Sequence, residues 1–183
     1  MKILLFAGSL RKDSLNKKLL SCVAQSLHSQ HQIEVLDMQV LNIPVYDGDI
    51  ETEHGMPQGV LRMVKALSEA DAVIISSPEY NGSISSPLKN ILDWTSRIRP
   101  THPWGKKPVL LLGASTGVFS AIRGLTHSRT PILNLGAYLY PNVFGLGQAD
   151  KAFDDQGQLV DKNTESRLQN LINEFVSYAQ RLT

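Results

Sequence analysis

The chain has few of the residues that most often announce a function. One cysteine, Cys22, stands among 183 residues, inside a helical pattern, and a lone thiol in that setting reads as a small core residue rather than a nucleophile or redox centre. The five histidines, His28, His31, His54, His102 and His127, form no H-E-x-x-H pair and no Cys–His cluster at ligand spacing, so no metal site is expected. Formal net charge is only +1, which gives neither nucleic acid nor an anionic membrane an electrostatic footprint. No apolar run approaches membrane-spanning length, and Met1-Lys2 leads directly into a short strand pattern instead of a signal-peptide core. The expectation is a cytoplasmic protein without membrane or nucleic-acid partners. Two phosphate-binding signatures are absent as well: G-x-x-x-x-G-K-[ST], which wraps polyphosphate, and G-x-G-x-x-G, which lets a backbone approach a pyrophosphate.

What is present is a different loop. Gly8-Ser9-Leu10-Arg11-Lys12-Asp13-Ser14-Leu15-Asn16 follows an apolar strand pattern at residues 3–7 and opens an amphipathic helix. Ser9, Ser14 and Asn16 supply short polar side chains and Arg11 a guanidinium, beside a helix start whose first N–H groups lack acceptors. Such a loop suits one compact anion, a monophosphate. Serine and asparagine are also common helix caps, so an ordinary capped strand-to-helix turn fits this loop taken alone.

Short apolar runs alternate with longer amphipathic ones along the chain. Strands are expected at residues 3–7, 33–37, 72–76, 108–113 and 138–144, with helices at 15–28, 59–69, 85–97, 119–135 and 163–181. The runs Val73-Ile74-Ile75 and Val109-Leu110-Leu111-Leu112 are apolar on consecutive residues, as strands buried on both faces must be. In the last helix Leu168, Leu171, Ile172, Phe175 and Val176 share one face. At 42% hydrophobic content this length supports one domain over residues 1–183. The expected architecture is a three-layer α/β, flavodoxin-like fold, a five-stranded parallel sheet in order 2-1-3-4-5 with helices on both faces. Ligands of such sheets sit beyond the carboxyl ends of the strands at the switch point between strands one and three.

The other loops at that edge carry binding character too. Ser77-Pro78-Glu79-Tyr80-Asn81-Gly82 follows the third strand, with turn formers that fix the backbone and a planar tyrosine face. Gly113-Ala114-Ser115-Thr116-Gly117 follows the fourth, small enough for close approach. Three such loops suit a planar ring with a phosphate tail, the shape of flavin mononucleotide (FMN), although each loop singly has an unremarkable reading. Tyr80 is read as stacking on or gating a ring, and Glu79 as shaping backbone. Reduced flavin gathers negative charge near N1 and the C2 oxygen, where backbone donors from residues 113–117 would meet it. The chemistry would belong to the flavin, so no general acid–base pair is expected.

Gly8-Ser9-Leu10-Arg11 with Ser14 and Asn16, Ser77-Pro78-Glu79-Tyr80-Asn81, and Pro87-Leu88-Lys89-Asn90-Ile91-Leu92-Asp93-Trp94 together resemble the NADPH-dependent FMN reductase family, which includes chromate, quinone and azo-dye reductases. The resemblance spans nearly the whole chain and rests on the conjunction of motifs. It implies that Ser9, Arg11, Ser14, Leu15 and Asn16 bind the FMN phosphate, that Pro78, Glu79, Tyr80 and Asn81 line the isoalloxazine, and that Ala114, Ser115 and Gly117 meet its pyrimidine side. It also implies NADPH or NADH as co-substrate and a homodimer or homotetramer with flavin sites near the subunit interface.

The expected function is transfer of hydride from NAD(P)H to bound FMN and then to a small acceptor, a quinone, azo compound, chromate or free flavin, by a ping-pong mechanism. A flavodoxin-type electron carrier or a flavin-binding sensor without a nicotinamide site is the alternative; carriers of that type are usually strongly acidic, unlike this chain. The helix that starts at Ser85 and ends at Arg97 carries Leu88, Ile91, Leu92 and Trp94, an apolar surface for the sheet or for a partner subunit. Asp93 and Arg97 read as a tie to a partner or a neighbouring flavin, or as an exposed pair one turn apart. Arg11, Arg97, Arg99, Lys106 and Lys107 are candidates for a 2′-phosphate, with Lys106-Lys107 expected in a solvated turn at the far end of the sheet. The acidic stretch 44–58 reads as a mobile flap or an inert surface loop.

Overall fold

A computed structural model describes residues 1–100 and 102–182. In chain order the elements are β1 (Lys2–Ala7), α1 (Leu15–Leu27), β2 (Gln32–Leu36), α2 (Met38–Leu41), α3 (Gly48–His54), α4 (Gln58–Glu69), β3 (Ala72–Ser76), β4 (Glu79–Tyr80), β5 (Ser83–Ile84), α5 (Ser86–Thr95), β6 (Pro108–Ala114), α6 (Ile122–Asn134), β7 (Tyr138–Leu146), a 3-10 turn (Ala149–Lys151) and α7 (Lys162–Gln180). The parallel sheet has the order β2-β1-β3-β6-β7. Because β4 and β5 pair only with each other, this is the expected 2-1-3-4-5 arrangement.

Alternation along the buried strands divides the interior in two. Ile3, Leu5, Ile74, Leu110 and Leu112 face a layer formed with α1 and α7, and Leu4, Phe6, Val73, Ile75, Val109 and Leu111 face one formed with α4, α5 and α6. Consecutive apolar residues are therefore required wherever both layers are covered. In α4, Val60, Met63 and Leu67 repeat at helical spacing, and α7 buries the five residues its pattern indicated together with Ala179.

The strands end in step, and this builds the ligand edge. Gly8 N–H donates to the Ser76 carbonyl, Ser77 N–H to Leu112 and Ser115 N–H to Leu146, each at 2.9 Å. Each loop thus leaves the sheet beside its neighbour. Gly8 is a packing requirement there, since a Cβ would lie 2.8 Å from Ser77 Oγ and 2.9 Å from Ser85 Oγ.

Several expectations are corrected. The stretch 44–58, read as a mobile flap or an inert surface loop, is not loop throughout: it holds α3 and is strapped to α5. Asn90 accepts from Tyr46 N–H and donates to the Pro44 carbonyl, which Trp94 Nε1 also reaches, all at 2.8 Å. Asp93 and Arg97 do not pair, because Asp93 binds Lys89 and Arg97 binds Glu51 in that strap. Leu88, Ile91, Leu92 and Trp94 are all buried within this chain. Lys106 is exposed, but Lys107 is half-buried; it donates to the Ala70 carbonyl, and burial lowers its pKa. No helix among the described residues is long and apolar enough to cross a membrane.

Candidate functional site

The loops after β1, β3 and β6 line an open cleft of about 150 Å³ at the switch point. Ser9, Arg11, Ser14, Leu15, Asn16, Pro78, Glu79, Tyr80, Ala114 and Ser115 line it, as the sequence indicated, and Thr116 joins them. Asn81 and Gly117 fall outside that lining. Asn81 and Gly82, with φ of 50° and 74°, form the two-residue turn between β4 and β5. Asn-Gly is a strong short hairpin signal, and it is the cue by which this turn is legible.

One end of the cleft is formed by the start of α1. Its first backbone bond runs from Lys18 N–H to the Ser14 carbonyl, 3.0 Å, so the N–H groups of Leu15, Asn16 and Lys17 have no helical acceptor. Ser14, only 4% exposed, holds the cap position yet makes no capping hydrogen bond with its side chain. A buried hydroxyl that leaves its own helix uncapped, beside three free N–H groups and the exposed Arg11, is what a phosphate group would complete. Ser9 Oγ accepts from Arg11 N–H at 3.4 Å, which bends the loop toward the same point.

Asn16 does something different. Its Oδ1 accepts from Ala114 N–H (2.9 Å) and Ser76 Oγ (2.8 Å), and its Nδ2 donates to the Ala114 carbonyl (3.0 Å). The side chain is a bracket joining the start of α1 to the ends of β3 and β6, which leaves one amide hydrogen and its backbone N–H for a ligand.

The third wall is also more committed than expected. Ala114 N–H is taken by Asn16, Ser115 N–H by Leu146 and Gly117 N–H by Ser115 Oγ. Among residues 114–117 only the Thr116 N–H lacks a partner in the protein, so the anticipated row of backbone donors reduces there to one.

Glu79 points away from chemistry. Its carboxylate accepts from Arg123 Nε (2.7 Å), Arg123 N–H (3.0 Å) and Gly124 N–H (3.2 Å) at the start of α6. Burial opposes its charge, but the Arg123 guanidinium and the two backbone donors outweigh it and hold the pKa below the ordinary glutamate value. Gly124 lets α6 press on the hairpin, since a Cβ would meet the Ser83 carbonyl at 2.9 Å. No group of three or more metal-ligating side chains occurs among the described residues. The cleft therefore offers an anion cradle, the exposed ring of Tyr80 and no free acid–base pair, which fits a cofactor that brings its own chemistry.

Comparison with known proteins finds similarity along the chain. Residues 1–151 match the model of the NADPH-dependent FMN reductase family. An NAD(P)H-dependent FMN reductase of Pseudomonas aeruginosa is 34% identical over 184 residues, covering 100% of this chain and 97% of the relative. A quinone reductase of Escherichia coli K12 is 31% identical with the same coverage. Among solved structures, the flavoenzyme NAD(P)H:(acceptor) oxidoreductase FerB of Paracoccus denitrificans superposes with a TM-score of 0.85 at 27% identity, over 98% of this chain and 97% of that one.

Proposed function

The chain belongs to the NADPH-dependent FMN reductase family, a family of oxidoreductases that use FMN and NAD(P)H, and from that premise we propose that it reduces small acceptors such as quinones, azo compounds, chromate or free flavin by a ping-pong mechanism. The observation that carries the reading is the unfinished start of α1, with three N–H groups lacking acceptors and the Ser14 hydroxyl unused in capping. When bound there, FMN supplies the hydride and electron transfer. The chain's part is placement. The α1 N–H groups, Ser9, Ser14 and Arg11 hold the phosphate; Pro78 and Tyr80 shape the ring wall; Thr116 N–H is the donor available to its pyrimidine edge. Asn16 works behind the surface, keeping α1 and β6 in register.

The open mouth suits two substrates in turn, nicotinamide and then acceptor. Of the basic residues considered for a 2′-phosphate, Arg97 is engaged by Glu51 and Lys107 by Ala70, whereas Arg11 stands exposed at the cleft. Leu10, Tyr80, Val118, Phe119 and Ile122 are exposed apolar side chains on loops at this edge, on β4 or at the start of α6. They support a homodimer or homotetramer meeting here, with α5 contributing its polar face because its apolar residues are already buried. Gel filtration showing only monomer at micromolar concentration would remove that part. A reducing, cytoplasmic setting suits the free Cys22.

The deciding experiment is anaerobic titration of the FMN-loaded protein with NADPH and then NADH, followed in the visible flavin band. Stoichiometric bleaching that a quinone reverses is expected. Retained flavin that neither nucleotide bleaches would indicate an electron carrier or sensor instead, and a strictly ternary-complex pattern in initial rates would exclude ping-pong turnover.

A further inference from the structure

Glu79 is a cleft-lining residue whose carboxylate is arranged for more than flavin binding. Its side chain is 8% exposed, whereas its partner Arg123 is 60% exposed. The two backbone groups it accepts from, Arg123 N–H and Gly124 N–H, belong to the first turn of α6, whose own cap residue, Ala121, has no side-chain oxygen. The cap therefore comes from 44 residues upstream. It is applied just after Ser120 and Ala121, both in the left-handed region at φ of 55° and 60°, a conformation that non-glycine residues keep only when surrounding structure holds it. Arg123 also lies over the Phe119 ring, 5.5 Å from its centroid. The loop between β6 and α6 is thus pinned at one end by Asn16 through Ala114 and at the other by Glu79.

Resting on the flavin reading, we propose that Glu79 is a positioning residue: with Arg123 it clamps the β6–α6 loop to the β4–β5 hairpin and keeps this side of the cleft electrically balanced, thereby setting the reduction potential of the bound flavin. Reduction adds negative charge to the ring, so a net positive neighbour favours the reduced form and a net negative one opposes it, most effectively where water is displaced. Glu79→Gln leaves the Arg123 guanidinium without its counter-charge. Arg123→Gln leaves the carboxylate on its two backbone donors without its cation. The two substitutions have opposite electrical consequences, although both loosen the same clamp.

The test is the midpoint potential of bound FMN, measured by equilibration with redox dyes, for the wild type, the two single variants and the double variant, with FMN affinity measured in parallel by flavin fluorescence. The expected result is an upward shift for Glu79→Gln, a downward shift for Arg123→Gln and a return toward the wild-type value in the double variant. Shifts in the same direction, or none, would overturn the proposal, because a purely structural clamp moves both single variants alike. Should Glu79→Gln not fold, Arg123→Gln and the charge-keeping Arg123→Lys decide: a potential lowered in Arg123→Gln and restored toward wild type in Arg123→Lys supports the proposal, and any other pattern overturns it. Failure of the wild-type protein to retain FMN would overturn the flavin reading and this inference together, whereas retention without opposite shifts overturns the inference only.

Discussion

Ser14 and Asn16 stand two positions apart in one motif and both line the cleft, yet their bonds predict opposite consequences for substitution. Ser14 makes no capping bond, so Ser14→Ala should leave the unfolding midpoint of the cofactor-free protein nearly unchanged, within ~0.5 kcal/mol. Loss of a hydrogen bond to a charged phosphate, about 1.5–3 kcal/mol, should weaken FMN binding by roughly tenfold or more. Asn16→Ala removes three buried bonds joining α1, β3 and β6. Leaving Ala114 N–H and its carbonyl unpaired costs about 1–3 kcal/mol for each group, so the cofactor-free protein itself should be destabilised. Urea unfolding without FMN and fluorescence titration with it separate the two roles. Both residues were legible in the motif; their division of labour was not, because β6 lies about a hundred positions away in the chain. The electrostatics of Glu79 were equally hidden. Its lowered pKa means that its stabilisation is complete above the ordinary value of 4.5 and is lost as pH falls through the lowered one. Glu79→Gln should therefore flatten the acid limb of the stability profile below about pH 4.5, which urea midpoints measured across that range would reveal.

At the scale of elements, what could be read from the sequence depended on length and on having a face to bury. The five sheet strands and the five long helices announce themselves through consecutive apolar runs or a helical stripe, and their ends fall within three residues of expectation. The elements that went unforeseen are α2, α3, the β4–β5 hairpin and the 3-10 turn at Ala149–Lys151. α3 buries no residue, so it has no stripe, and two-residue strands are too short to alternate. What ties this segment down lies elsewhere: Asn90 and Trp94 of α5 bind Pro44 and Tyr46 just before α3, and Arg97 and the Tyr46 hydroxyl bind Glu51 within it. Asn90→Ala removes both a donor and an acceptor from that strap. Amide hydrogen exchange should then lose protection across residues 44–57 while β1, β3 and β6 keep theirs. Uniform loss throughout the sheet would mean instead that the strap is part of the cooperative core.

For the whole molecule, the two-layer interior explains why fold and ligand edge were readable together. Strands buried on both faces need βα crossovers, the crossovers bring the odd and even loops to opposite edges, and the order 2-1-3 opens a crevice between the first and third strands. A ligand seated there touches loops from three separated parts of the chain, so binding must stabilise the fold as a unit. At a hundred times the dissociation constant FMN should add about 2.7 kcal/mol. For a domain of this size that corresponds to roughly 5–10 °C in melting temperature. On the proposal that the open groups at the start of α1 hold the phosphate, riboflavin, which carries the same ring without the phosphate, should shift the melting temperature far less at equal concentration. An equal shift from the two compounds would show that the ring contacts dominate and that the unfinished helix start does not bind the phosphate. A shift confined to FMN would locate the cofactor's main anchor in the Ser9–Asn16 loop, leaving the ring at the open mouth of the cleft.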